Sequence, residues 1–221
     1  MNLLMQGPTT PYAPLPLNVR CPVCQQMGSF HGVNLHDLHW HNPYQLPTGG
    51  KGHQPCKLGI RKCPNLECQA VLFWGQQGDE KVLYPPEVID FDATSLPANI
   101  VASLQEAIKC HAVGCYRASA LMIRRVLEEI CEDKGLTGKD LQTRLAGIST
   151  VAAIPAELVT AANDLRLMGN DAAHIVAKTY DDIGEQEVNI AISLAKELLK
   201  AVYQYSALLA QLHAYKKTIT P

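Results

Sequence analysis

From Ala98 to the C-terminus apolar residues recur every three and four positions, a spacing that predicts amphipathic helices. Five are predicted. The first runs from about Pro97 to His111, with Ile100, Leu104, Ala107 and Ile108 on one face and a proline in the favourable first-turn position. Gly114 breaks the pattern, and a second helix follows from about Cys115 to Lys134, stopped by Gly135. A short third helix begins near Lys139 and carries Leu141 and Leu145. Pro155 opens a fourth that continues at least to Met168. The fifth extends from about Asp182 to Lys216. Its positions Val188, Ile192, Ala195, Leu199, Val202, Ser206, Leu209 and Leu212 keep a near-heptad step, which predicts packing inside the domain and pairing with a second copy.

Before residue 97 the texture is different. Pro8, Pro11, Pro14 and Pro16 mark residues 1–19 as an extended surface arm. Residues 69–74 and 81–84, with a turn from Gly75 to Asp79 between them, read as a hairpin. Residues 87–96, after Pro85-Pro86, have turn residues and little period, and read as a linker. The division expected is an arm (1–19), a small β module (20–86), a linker (87–96) and a helical bundle (97–221), an α+β chain overall.

Cysteine spacing gives the β module its chemistry. Cys21-Pro22-Val23-Cys24 is a two-residue-gap knuckle, and Cys63 and Cys68 form a second with a wider gap. Four thiolates close a tetrahedral shell with no position left for water or substrate, so the expectation is a zinc ribbon in which Zn2+ folds the module and does no catalysis. The 38 residues between Cys24 and Cys63 hold Pro43, Pro47, Gly49, Gly50 and Gly52, and are expected to loop out over the ribbon surface. Within them Cys56 could replace one of the four ligands. His31, His36, His39, His41 and His53 are expected as ordinary surface histidines, His39 and His41 pointing to one side of a strand. Cys110, Cys115 and Cys131 have no short-gap partner and are expected as small buried hydrophobes.

Charge and hydropathy remove some functions. The net charge is −2, with 6 basic and 7 acidic residues before residue 95 and 13 and 14 after it, so neither half is a basic domain; the balance argues against strong non-specific nucleic-acid binding and leaves room for a small local patch. No apolar run reaches the roughly 20 residues of a membrane span, and the first residues lack the pattern of a signal peptide, so a cytoplasmic location is expected.

The fourth helix carries the remaining chemistry. Leu158, Ala161, Leu165, Met168 and Ala172 share one face, and Asn163, Arg166, Asn170 and His174 form a polar stripe about 80° wide on the other. An arginine can hold a phosphate, an asparagine orient it and a histidine move a proton. In the segment Arg166-Leu167-Met168-Gly169-Asn170-Asp171-Ala172-Ala173-His174 the chain resembles the HEPN superfamily, in its branch called domain of unknown function 4145. Arg124-Arg125 and Glu128-Glu129, followed by Lys134-Gly135-Leu136, support the resemblance, which covers residues 98 to 215. Active members of that superfamily look like dimeric, metal-independent endoribonucleases with Arg and His closer in sequence than the seven residues separating Arg166 from His174, and Gly169 stands where they would present the arginine.

The resemblance thus implies a dimerising HEPN-like bundle after a zinc ribbon, and a link to prokaryotic defence or restriction. The leading expectation is a non-catalytic binding or regulatory protein. One alternative is an endoribonuclease with Arg166, Asn170 and His174 as its catalytic residues. The other is an adaptor for RNA or another nucleic acid, presenting Arg20, Lys57, Arg61 and Lys62 on one ribbon face near Trp40 or Trp74.

Overall fold

The structure, a computed structural model, describes residues 4–33, 36–174 and 183–218. It divides into two compact units, residues 1–90 and 91–221. The first is an antiparallel sheet of β1 (Thr10–Tyr12), β2 (Leu17–Arg20), β3 (Met27–Gly32), β4 (Asp37–Gln45), β5 (Lys51–Lys62), β6 (Val71–Gln77) and β7 (Glu80–Tyr84). Strands follow the order β1-β4-β5-β3-β2, and β6 pairs with both β5 and β7.

The segment between Cys24 and Cys63, expected to loop out, is instead the body of this sheet. Its turn residues collect where Leu46 donates to Gly50 and Gly49 to Leu46, closing the β4–β5 hairpin. Residues 37–45 and 51–62 form its two long strands. Pro43 is tolerated because β1 pairs with β4 only through residues 37–39, leaving β4 an edge strand beyond them.

The arm is pinned to this hairpin. Trp40 Nε1 and Asn42 Nδ2 donate to the Leu4 carbonyl at 2.9 and 2.7 Å, and the Gln6 amide donates to Asn42 Oδ1 at 3.0 Å. Trp40, Asn42 and Cys56 are therefore buried on one face of the hairpin's outer end. At the inner end burial moves to the opposite face, where the Arg61 guanidinium donates to both Asp37 carboxylate oxygens, to the carbonyl of Leu15 and to that of Ile60. Trp74 lies against that guanidinium, 5.0 Å from its ring centroid. Gly59 is required here, since a Cβ would strike Asp37 Oδ1 and the Trp74 indole nitrogen.

The second unit contains α1 (Ala98–Ala112), α2 (Tyr116–Asp133), α3 (Leu141–Ala146), α4 (Ala156–Ala173), α5 (Glu185–Leu199) and α6 (Tyr205–Thr218). Asp182, the expected start of the last helix, lies outside the described residues. α5 and α6 form one helix interrupted by a π turn, Lys200–Gln204. The inserted residue lets Ala201, Val202 and Tyr203 all face inward, and the Tyr203 hydroxyl donates to Asp133 Oδ2 at 2.8 Å. Val188, Ile192, Ala195, Leu199 and Val202 from the predicted stripe are buried, whereas Leu209 and Leu212 beyond the π turn are exposed. Among the described residues no helix is long and apolar enough to cross a membrane.

The region expected as a linker is tied at both ends. The Arg20 amide donates to Glu87 at 3.0 Å and its guanidinium pairs with Asp90 at 3.3 Å. Within the second unit, Gln204 donates to the carbonyls of Asp92 and Thr94 at 3.0 and 3.2 Å. Of the three cysteines expected in the helical core only Cys131 is buried; Cys110 is half-buried and Cys115, at the N-cap of α2, is exposed.

Candidate metal centre and helical polar stripe

Cys21 and Cys24 lie in the turn that joins β2 to β3, and Cys63 and Cys68 in the turn that joins β5 to β6. The two knuckles share one backbone device. In each, the residue after the second cysteine takes a left-handed φ, Gln25 at 61° and Gln69 at 49°, and so curls the chain around the sulfurs. The first is closed by the Gln25 amide donating to the Cys21 carbonyl at 2.9 Å and the Cys21 amide to Gln26 at 3.0 Å. The second is closed by the Cys63 amide donating to Ala70 at 2.8 Å and the Glu67 amide to Asn65 Oδ1 at 2.9 Å.

All four sulfurs lie within 4.8 Å of one another. Cys21 Sγ stands 3.8 Å from Cys68 Sγ, and Cys24 Sγ 3.8 Å from Cys63 Sγ. A tetrahedral ion with metal–sulfur bonds of about 2.3 Å separates its ligands by about 3.8 Å. The donor set therefore fits a tetrahedral metal ion. Val19, Phe30 and Leu72 pack around the sulfurs.

Environment divides the thiols. The Gln26 backbone amide stabilises the Cys24 thiolate and brings that group down to about 7. Burial pushes Cys63 up to about 12 and raises Cys21. A bound cation is what would allow four such thiolates to coexist.

Cys56 is not part of the cluster. It is buried on β5 opposite Trp40, its sulfur directed to the Gln54 carbonyl at 3.6 Å, and burial raises its thiol. His39 and His41 do come together on one side of β4, their rings 4.7 Å apart. The ribbon platform expected for an adaptor does not form: Arg61, Trp40 and Trp74 are buried, and Arg20 is engaged by Asp90 and by the Gln25 carbonyl at 2.6 Å.

On α4 the helix continues unbroken through Gly169 to Ala173, and His174 ends it with an extended backbone, its amide bonded to the Asn170 carbonyl at 3.0 Å. Eight helical steps place Arg166 and His174 about 12 Å apart along the axis. Arg166 is held locally, its Nε donating to Asn163 Oδ1 at 2.9 Å. Asn163, Arg166 and Asn170 are half-buried, and His174 is exposed.

The packed face of α4 centres on Ala162, Leu165, Met168 and Gly169, turned slightly from the expected one, with Leu158, Ala161 and Ala172 half-buried at its margin. Gly169 explains the turn. A Cβ there would lie 2.5 Å from Arg124 Cβ, so the glycine lets α2 approach and Arg124 Nη1 donate to the Arg166 carbonyl at 3.3 Å. Arg124 also pairs with Glu128 at 3.2 Å. Arg125 Nε on α2 and Ser103 Oγ on α1 both donate to the buried Glu129 Oε1, at 2.9 and 3.0 Å. Asp140, which caps α3 through the Thr143 amide and hydroxyl, is lowered chiefly by those bonds and slightly by Arg166. Arg124 thus joins the α4 stripe from another element. Helical spacing within one segment gave no signal for it.

Residues 105–218, just over half the chain, match the family described as Domain of unknown function (DUF4145). The chain belongs to that family. No curated protein and no solved structure matches it.

Proposed function

We propose that this chain is a non-catalytic binding and regulatory protein, with a structural Zn2+ ribbon in its first unit and a dimerising, HEPN-like second unit, working within prokaryotic defence or restriction. The observation that carries the non-catalytic reading is the unbroken course of α4 through Gly169. It keeps the Arg166 guanidinium and the His174 imidazole too far apart to share one phosphate, and Asn163 already engages Arg166. Labelled single-stranded RNA incubated with pure protein in chelator is expected to stay intact. Cleavage abolished by His174→Ala would overturn the reading in favour of a metal-independent ribonuclease.

Dimerisation is supported by α6. Tyr205, Leu208, Leu209 and Leu212 fall within about 100° of one another on the helix, and each is at least 50% exposed. A helix with such a face buries it against a second helix, and a second copy supplies an identical one. Light scattering at micromolar concentration is expected to give a dimer, and Leu208→Glu with Leu212→Glu a monomer of unchanged helicity. A monomeric parent chain would remove dimerisation from the proposal.

A further inference from the structure

Residues directly opposite one another in an antiparallel pair lie on the same face of the sheet. The register therefore sets Thr10, His39, Lys57, Gln76 and Lys81 in one row across β1, β4, β5, β6 and β7. Along the outer hairpin the same face continues through His41, His53 and Lys51. Side-chain contacts agree with the register: the Lys57 ammonium sits 4.7 Å from the Tyr12 ring centroid, and the Tyr12 and His39 rings are 6.0 Å apart. The opposite face is the one that meets Leu4 and Gln6 of the arm, and there Gln77 donates to Gln54 at 2.9 Å.

The face carries three lysines and three histidines; of the acidic residues of this unit Asp37 shares it, at the buried inner end, and the others are placed elsewhere. Asp37 is bound by Arg61, and Glu67 sits in the second knuckle. Asp79 belongs to the β6–β7 turn, and Glu80, opposite Gln77, lies on the other face. Glu87 and Asp90 meet Arg20. Partial burial, with the neighbouring His41 and Lys57, lowers the proton affinity of His39. Tyr12 from β1, His41 from β4 and Lys57 from β5 are the titratable groups that surround that imidazole.

We infer that this face of the sheet binds single-stranded nucleic acid, holding its phosphates with Lys51, Lys57, Lys81, His39 and His41. The inference deepens the non-catalytic binding reading and rests on it for binding without cleavage. From Lys51 to Lys57 the strand extends about 20 Å, long enough to follow successive phosphates of one strand. Tyr12 and the paired imidazoles offer planar rings to unpaired bases. The row contains no large aliphatic side chain of the kind that anchors a protein in a lipid surface. An arriving phosphate offsets the cations around His39 and favours its protonated form, so binding strengthens as pH falls.

The test is anisotropy of a labelled oligouridylate with the full metal-loaded chain, the RNA being run on a gel afterwards. Expected are salt-sensitive binding and a loss of at least about tenfold in K51Q/K57Q/K81Q, with the salt slope reduced by about 2. Tighter binding at pH 5.5 than at pH 8 is expected in the parent chain, and a flat profile between about those values in H39Q/H41Q/H53Q. Unchanged tryptophan emission in the variants shows that the sheet is intact. No binding at low salt, equal binding by the triple variant, or equal binding to duplex or to phosphatidylserine vesicles overturns the inference. Intact RNA without binding defeats this inference alone, whereas cut RNA defeats the non-catalytic reading beneath it.

Discussion

Stripping the metal from the chain with a strong chelator is expected to unfold residues 1–90 and leave the helical unit folded. Among the described residues the buried apolar side chains around the four sulfurs are Val19, Phe30 and Leu72, with the partly buried Leu17, Ala70 and Leu83 packed against them. Structural zinc contributes on the order of 10–16 kcal/mol to a small module, whereas whole domains have net stabilities of about 5–15 kcal/mol. Without the ion the two knuckles lose what joins them, and β2–β3 is left tied to β5 through the short pairing of His31 and Gly32 with Lys62 and Arg61. The molecule provides its own reporters. Both tryptophans, Trp40 and Trp74, lie in the first unit and are buried, so their emission should shift to longer wavelength. Helical circular dichroism from α1 to α6 should change little. Cys63→Ser should reproduce the effect without chelator, while Cys56→Ser, outside the cluster, should not. A chain that keeps its native tryptophan emission when metal analysis finds none would show that the sheet folds without the ion.

The paired cysteines were legible from spacing because the requirement is local: a short gap and a turn suffice to place two sulfurs. The helices were legible because their apolar period is sustained. The β4–β5 hairpin was not, and its burial pattern gives the reason. Trp40, Asn42 and Cys56 are buried on one face, whereas Asp37, Gly59 and Arg61 are buried on the other. No single alternation runs through either strand, and Pro43, Pro55 and the glycines read as loop. The switch depends on the arm, whose Leu4 carbonyl receives Trp40 and Asn42 from more than thirty residues away. In the helical unit the same limit appears at Gly169. Spacing marked it as a glycine standing where an arginine would be in an active relative, and only its surroundings name what it packs against, Arg124 on α2. The π turn likewise hides in sequence, because one inserted residue changes which side of the last helix is buried.

Asp37→Ala is expected to destabilise the first unit by about 3–5 kcal/mol, the usual cost of leaving a buried charge without its partner. Arg61 is fully buried and Asp37 nearly so, and no other carboxylate among the described residues is bonded to that guanidinium. Burying an aspartate and an arginine side by side contributes little net stability by itself, since desolvation offsets most of the attraction. The loss comes from breaking the pair. Asp37→Leu combined with Arg61→Met should therefore recover much of what Asp37→Ala loses. Recovery should be incomplete, because the Leu15 and Ile60 carbonyls give up the guanidinium as donor. Urea titration of the metal-loaded chain, followed by tryptophan emission, measures all three proteins. A loss below about 1 kcal/mol in Asp37→Ala, the range of an exposed pair, would mean that water reaches Arg61. A double variant no more stable than Asp37→Ala would instead make the pair an attractive contact in its own right, holding the arm at Leu15 and the inner end of β5 to β4.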